Sequence, residues 1–303
     1  MNLKYQMLKS SIVSILAFCL IVSVVLIPRQ LELSIQDYKI VAEEPSLTLS
    51  QYTAHVSEFF KTAIENGSLG ESRYSGHSSE SEALKAMGRS LLVIVTALLI
   101  GLIFGILKGV MDYRLSKTRL NLLGNWTTWI INAIPDFFLI LLIQWFIIKN
   151  VPFIRFFATD GWQGFIIPSL LVSIYPIVQI ARLTSASLTS QENKLYIKLA
   201  RAKGLREWVI LCKHMLANGI ITILTHLPGM LVFILSNLLM VEIYRSYPGA
   251  AYRLSQALDY DTQVGTGNNY EPGVIIYIVL YFMLLFLLVQ WIAAAARRYF
   301  DRQ

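Results

Sequence analysis

The chain has 303 residues, of which 55% are hydrophobic and only 15% charged, with a mean hydropathy of +0.55. That balance excludes an ordinary soluble domain and places the chain among polytopic membrane proteins. The formal charge of +7 does not indicate nucleic acid, because long apolar runs interrupt the basic residues, and the two cysteines, Cys19 in an apolar run and Cys212 in a basic one, imply neither a disulfide framework nor a thiolate metal site.

A helix needs about 20 apolar residues to cross a hydrocarbon core of roughly 30 Å. Six runs meet or approach that length: Ser11 to Pro28, Ser90 to Val110, Leu122 to Ile148, Gly164 to Ala181, Met215 to Val241 and Gly273 to Ala296. With the N-terminus in the cytoplasm, the inner segments 1–10, 108–121, 182–214 and 297–303 hold 16 Lys and Arg against 4 Asp and Glu. The outer segments hold 10 basic and 14 acidic residues. The positive-inside rule therefore predicts both termini in the cytoplasm. The expected organisation is an N-terminal transmembrane helix over 1–28, an extracytoplasmic segment over 29–89, and a five-helix core over 90–303 with a cytoplasmic loop at about 190–214.

The first run follows Lys4 and Lys9, as the apolar part of a signal peptide would. No small-x-small cleavage site follows Ile27, where Pro28-Arg-Gln-Leu-Glu stands instead, so a retained helix is expected. In the polar segment that follows, Tyr52, Val56, Phe59, Phe60, Ala63 and Ile64 fit one face of an amphipathic helix, lying on its own bundle or at the headgroup level. Gly101, Gly105 and Gly109 recur every four residues in the second run and predict close packing against another helix.

The third run carries Pro135 and Asp136 near its middle, with Asn132 one turn earlier. A carboxylate in the bilayer costs at least ~2.5 kcal/mol, so it should face protein or water. Proline also frees a carbonyl one turn back, near Asn132 or Ile131. Asp136 and Asn132 are thus candidates for a translocation path, where Asp136 would meet a substrate amine or a gating partner. The other reading is an internal hydrogen bond that fixes helix packing, and both stay open.

Between the fourth and fifth runs lies Lys198-Leu-Ala-Arg-Ala-Lys-Gly204-Leu-Arg-Glu-Trp-Val-Ile-Leu-Cys-Lys-His214-Met-Leu-Ala-Asn218. It reads as a short helix, a glycine and a second helix. Gly204 can take positive φ and reverse the chain, Ala200 and Ala202 would let a partner approach, and Arg201, Lys203 and Arg206 would point donors outward. For these cations the alternative is ordinary anchoring on the inner face. After the fifth run, Val241-Glu-Ile-Tyr-Arg-Ser-Tyr-Pro-Gly249 predicts an outer turn at Pro248 and Gly249. Glu242, Pro248 and Gly249 are candidates for contact with a binding protein or for an outer gate, and for Glu242 the alternative is a structural acid at a helix end.

No G-x-x-x-x-G-K-[ST] phosphate loop occurs, so no Walker ATP site is expected in this chain. His55, His77, His214 and His226 are scattered across both sides, which argues against a metal cluster, and no nucleophile elbow suggests a hydrolase.

Three of these stretches resemble the permease subunits of ABC importers, specifically the oligopeptide/dipeptide branch. Ala200-Arg-Ala-Lys-Gly-Leu205, with His214, Leu216 and Asn218 in register, is similar to the cytoplasmic EAA coupling loop, although Lys198 and Leu199 hold the positions that name the motif and Thr222 replaces a usual proline. Asn66-Gly-Ser-Leu-Gly-Glu-Ser72 resembles the G-D-L-G-x-S turn before the second span, and Val241 to Gly249 resembles V-E-x-x-F-x-x-P-G. A fourth match is the P-x-F at Pro135 and Phe137, whereas Ala251 replaces a second glycine and Gly265 to Glu271 reads as a small flexible insertion.

The resemblance implies an all-α polytopic protein with six transmembrane helices in the type I ABC importer permease fold, multi-pass in the plasma membrane. Its implied partners are a second, similar permease subunit, two cytoplasmic ATPase subunits that carry the ATP, an extracytoplasmic substrate-binding protein and the lipid bilayer, with no nucleic acid and no cofactor in this chain. Ala200, Arg201, Ala202, Lys203, Gly204, Leu205 and Arg206 would then couple to an ATPase subunit. The competing class is a secondary carrier or channel that binds an ion at Asp136, but no internal repeat of the kind such folds often show is found. A third class, a membrane-anchored scaffold, leaves six spans unexplained.

Overall fold

Inside a bilayer each backbone amide must find a partner within its own segment, so long apolar runs become helices. The computed structural model describes residues 3–27, 32–36, 39–43, 48–73, 76–116, 118, 124–258 and 270–300. Its elements are α1 (Leu3–Val25), β1 (Glu32–Gln36), β2 (Lys39–Glu43), α2 (Leu49–Asn66), α3 (Ser79–Leu115), α4 (Asn125–Ala133) and α5 (Asp136–Asn150). They continue with α6 (Gly161–Gln191), α7 (Leu195–Ala202), α8 (Glu207–Val209), a π-helical segment (Ile210–Leu216), α9 (Ala217–Thr225), α10 (Leu227–Tyr244), α11 (Ala250–Ala257) and α12 (Pro272–Phe300).

Among the described residues, six helices are long and apolar enough to cross a membrane: Met7–Val25, Ser79–Leu115, Gly161–Gln191, Glu207–Thr225, Leu227–Tyr244 and Pro272–Tyr299. They do not map one to one onto the six apolar runs. The third run is a broken pair, α4 and α5, bent by 100°. The fifth divides at His226 into α9 and α10, where Pro228 falls in the first turn of α10 and supplies no amide to continue the helix. Thr222, in place of the usual proline, lets α9 run through that point unbroken.

The β1/β2 hairpin pairs Glu32 with Glu43 and Gln36 with Lys39. Among the described residues it is the one departure from helix in the regular elements, and the alternation in Glu-Leu-Ser-Ile-Gln is its sequence signal. Asp259, Tyr260, the segment 261–269 and the end 301–303 lie outside the described residues, as do Pro28 and Arg29.

The chain forms two compact units, one of residues 1–10, 89–248 and 286–303, the other of 11–88 and 249–285. In the first, α6 is the central helix, with Ile167, Leu171, Val172, Ile180, Ala181 and Leu188 all buried. The glycine stripe of α3 lies directly on it. A Cβ at Gly101 would sit 2.9 Å from Pro176 Cβ, and one at Gly109 would sit 2.6 Å from the Ala181 carbonyl oxygen. Small residues are thus required there for backbone approach, the packing role that the four-residue spacing predicts.

The second unit has its own core of Val25, Leu26, Ala83, Ala86, Met87, Ala250, Ala257, Val274, Ile275 and Ile278. Helix α2 lays Val56 and Phe59 on this core and donates the Tyr52 hydroxyl to Ser23 O at 2.8 Å, while Phe60 and Ile64 remain exposed. It therefore rests on its own unit along one edge of the predicted apolar face. The turn after it is pinned by a buried network. Arg253 Nη2 reaches both Glu271 oxygens at 2.8 Å and Ser72 Oγ at 3.0 Å, and Glu271 also accepts from the Arg73 amide at 2.8 Å. Glu271 was expected inside a flexible insertion and is instead buried. Truncating Glu271 to Ala should leave the buried Arg253 without its carboxylate and cost about 3–5 kcal/mol, read as a lower melting temperature in detergent, with Glu271→Gln losing less.

Candidate functional site

The hairpin that carries the coupling-loop motif begins where α6 ends. Lys194 is extended, at φ −68° and ψ 147°, and starts α7. On α7, Ile197 and Ala200 are spaced three apart and so share a face. That face is buried with Leu188, Tyr113, Ile210, Leu211 and Met215. Ala200 is thus turned into the chain's own core, which corrects its expected place on the outer surface. Arg201, Ala202, Lys203, Gly204, Leu205 and Arg206 are exposed.

The chain reverses by a Schellman cap. Gly204 has φ +74°, its amide donates to Arg201 O at 2.9 Å, and the Leu205 amide donates to Ala200 O at 3.3 Å. A Cβ at Gly204 would meet nothing within 4 Å, so the backbone angle and not space makes glycine the fitting residue. Arg206 is extended again and opens α8, which passes into the π-helical segment. π-Helical turns are rare and concentrate at functional sites.

Three side-chain ties hold the hairpin. Arg201 Nε donates to Glu207 Oε1 at 2.8 Å across the turn, and that hydrogen bond raises the Arg201 pKa above its ordinary value. The Arg114 guanidinium lies 4.7 Å from the centre of the Trp208 ring. The Tyr196 hydroxyl donates to Gln191 Oε1 and accepts from Asn218 Nδ2 at 3.3 Å, so the asparagine of the loop motif joins α9 to α7. The outer face carries Leu195, which is 83% exposed, with Leu199, Leu205 and Trp208 also exposed. Lys198, Lys203 and Arg206 stand among them, all exposed. Sequence reasoning did not assign Tyr196, Gln191, Arg114 or Trp208, because each partner lies on a different element.

At the other sequence-predicted site, Pro135 breaks the span. Ile134, the residue before it, is pushed to the extended region at φ −84° and ψ 132°. The Ile134 carbonyl accepts the hydroxyl of Tyr175 on α6, and the Ile131 carbonyl, 3.4 Å from that hydroxyl, takes the Ile134 amide at 3.3 Å. Asn132 Oδ1 accepts from Gln179 Nε2 at 3.3 Å. Asp136 stands in the first turn of α5, where its Oδ1 accepts the Phe137 amide at 2.9 Å. A helix N-terminus favours a carboxylate, so the acid has a local partner.

In the Val241–Gly249 motif, Glu242 is fully buried and accepts from the buried Ser90 hydroxyl. Its carboxylate thus lies inside this chain's own packing. Pro248 O accepts from Arg89 Nη1 at 3.4 Å, and Gly249 is the extended residue that starts α11. Arg245, where the resembling pattern has phenylalanine, is buried and donates to the carbonyls of Phe156 (2.7 Å), Ala158 (3.1 Å) and Gly164 (3.3 Å). Burial pulls its pKa down to about 10, so it stays charged at neutral pH.

The chain is similar to known transport-system permeases. The dipeptide transport system permease protein DppB of Bacillus subtilis is 29% identical over 199 residues, covering 62% of this chain and 60% of the relative. DppB of Lactococcus lactis subsp. cremoris is 26% identical over 190 residues, covering 61% and 62%. The glutathione transport system permease protein GsiC of Escherichia coli O6:H1 is 29% identical over 223 residues, covering 70% of each. The matched stretch spans less than two thirds of the length of both DppB relatives. A family profile described as binding-protein-dependent transport system inner membrane component matches residues 60–301, and with four fifths of its length inside that match the chain belongs to this family of multi-pass membrane permeases.

Proposed function

We propose that the chain is one transmembrane subunit of an ATP-driven importer of peptides, with separate ATPase subunits bound at the hairpin of residues 195–211. The observation that carries this reading is the hairpin's two-sidedness. Its inner face is locked by Ile197, Ala200 and Ile210 and by the Tyr196–Asn218 tie, while its outer face presents Leu195, Leu199, Leu205 and Trp208 ringed by cations. A flexible loop would transmit little work, whereas a docked one moves with the bundle. The 16 basic residues against 4 acidic ones on the predicted inner segments support cytoplasmic termini and a hairpin on the ATPase side.

In this reading a second, similar permease completes the path, two cytoplasmic subunits bind ATP, and an extracytoplasmic protein delivers the peptide. The segment 29–89 is extracytoplasmic and 90–303 forms the permease core. The rival carrier reading drew on Asp136 as an intramembrane acid that binds an ion. Its carboxylate accepts the Phe137 amide at the start of α5, and the match to transport-system permeases favours the importer over the carrier.

Purification in mild detergent tests the proposal. An ATPase subunit should co-elute with the native chain, and Lys203→Glu or Gly204→Trp should weaken that association, the second by forcing a side chain into the left-handed region at a cost of about 1–2 kcal/mol. A chain that elutes alone and is indifferent to both changes would contradict it.

A further inference from the structure

We infer that the cavity between α4 and α6 around Arg182 binds the terminal carboxylate of a short peptide. The inference rests on the importer reading and adds which group of the cargo this chain holds. The cavity has a volume of about 410 Å³ and is lined by Thr128, Trp129, Arg182, Ser185, Thr189 and Ser190. That volume falls in the range of roughly 300–1,000 Å³ common to small-molecule sites. Tyr175, Arg182 and Thr189 are spaced by seven residues, about two helical turns, and so lie on one face of α6. Along this face Tyr175 and Gln179 hold the broken α4–α5 pair, and Gln179 Oε1 in turn accepts from Arg182 Nη2 at 2.9 Å.

Arg182 is therefore oriented but not neutralised. Among the described residues no carboxylate pairs with it, and its Nε and Nη1 groups have no protein acceptor. A guanidinium presents five donors in a fork that matches a carboxylate. The hydroxyl protons around it are already committed: Thr128 donates to Asp112 at 2.6 Å, Thr189 to Ser185 O at 2.9 Å and Ser190 to Ser187 O at 2.8 Å. Thr128 Oγ also accepts from Lys108 Nζ at 3.2 Å, so what the Thr189 and Ser190 hydroxyls offer a ligand is lone pairs. A cationic fork beside acceptor oxygens suits a carboxylate flanked by a peptide N–H. A lipid phosphodiester, which only accepts, matches the fork but not the oxygens.

The test uses Ala186, exposed on the same cavity wall, as a reporter. Ala186→Cys is introduced with Cys19 and Cys212 replaced by serine, and thiol labelling is followed in the purified transporter with dialanine, dialanine amide or phosphatidylglycerol. Dialanine should protect and its amide should not, and Arg182→Gln should weaken the dialanine protection at least about tenfold, as expected for one charge-assisted pair. Arg182→Lys, which keeps the charge but loses the fork, should fall between, and equal labelling rates without ligand verify that all variants fold alike. Equal protection by acid and amide, unchanged protection in Arg182→Gln, or protection by phosphatidylglycerol alone overturns the inference. ATP-driven dialanine uptake by the same complex in vesicles separates the two levels: no uptake removes the importer reading, whereas uptake with labelling blind to the carboxylate removes only this site.

Discussion

Replacing Gly105 with leucine should abolish stable packing of α3 on α6. A Cβ at this position would lie 2.6 Å from Ile180 Cβ and 3.0 Å from the Ile177 carbonyl oxygen, so a whole leucine side chain must push the helices apart. Overpacking costs about 1–3 kcal/mol and more where backbone blocks the way, a large part of the roughly 5–15 kcal/mol that holds a fold. The expected result is a sharp loss of monodisperse protein and of melting temperature in detergent. Gly88, on the same helix, has nothing within 4 Å of its notional Cβ. Gly88→Ala should be neutral or slightly stabilising. If Gly105→Leu behaves like Gly88→Ala, the glycine stripe does not hold these helices.

Under the proposed importer function, Ile197→Asp should uncouple transport without dismantling the spans. Ile197 is fully buried in the cluster that docks α7, so an aspartate there must either bury its charge, at a cost of several kcal/mol, or leave the cluster and take the hairpin with it. Undocking is the cheaper route, because the outer face of α7 is already exposed. ATP-driven uptake should fall at least about tenfold, equivalent to ~1.4 kcal/mol of lost coupling, while the thermal transition of the bundle changes less than for Gly105→Leu. Ile197→Leu, which keeps the apolar contact, should retain most uptake. Full uptake by the aspartate variant would show that a docked hairpin is not needed.

How far the fold can be read from residues alone depends on whether the determining interaction is local. Gly204 and its reversal were legible because a left-handed residue is a backbone requirement that glycine meets. The stripe of Gly101, Gly105 and Gly109 was legible because its period is that of a helix face. Pro135 marked a disturbance, but its consequence, a bend of 100° and not a kink, depends on Tyr175 and Gln179 of α6 receiving the Ile134 carbonyl and Asn132. The break at His226 had a signal in Pro228, but the apolar pattern that continues through it was read as one span.

The site shows the same division. The exposed cations of the hairpin followed from its composition, but the inward direction of Ala200 did not, since a short amphipathic helix docks whichever face its neighbours accept. Glu242 in isolation could have faced either way, and the hydroxyl that takes it inward lies 152 residues earlier, at Ser90. The Arg253 and Ser72 pair is separated by 181 residues and leaves no periodic trace. Such long-range polar contacts are where a single sequence is least informative.

The account turns on the hairpin of residues 195–211 being an inner, ATPase-facing element. With Cys19 and Cys212 replaced by serine, Lys203→Cys gives one thiol on the exposed turn, and its reaction with a membrane-impermeant reagent in sealed vesicles of known orientation reports its side directly. The expected result is labelling from the cytoplasmic face alone, slowed when ATPase subunits are bound. Labelling from the outer face, or a rate that is the same with and without those subunits, would contradict it.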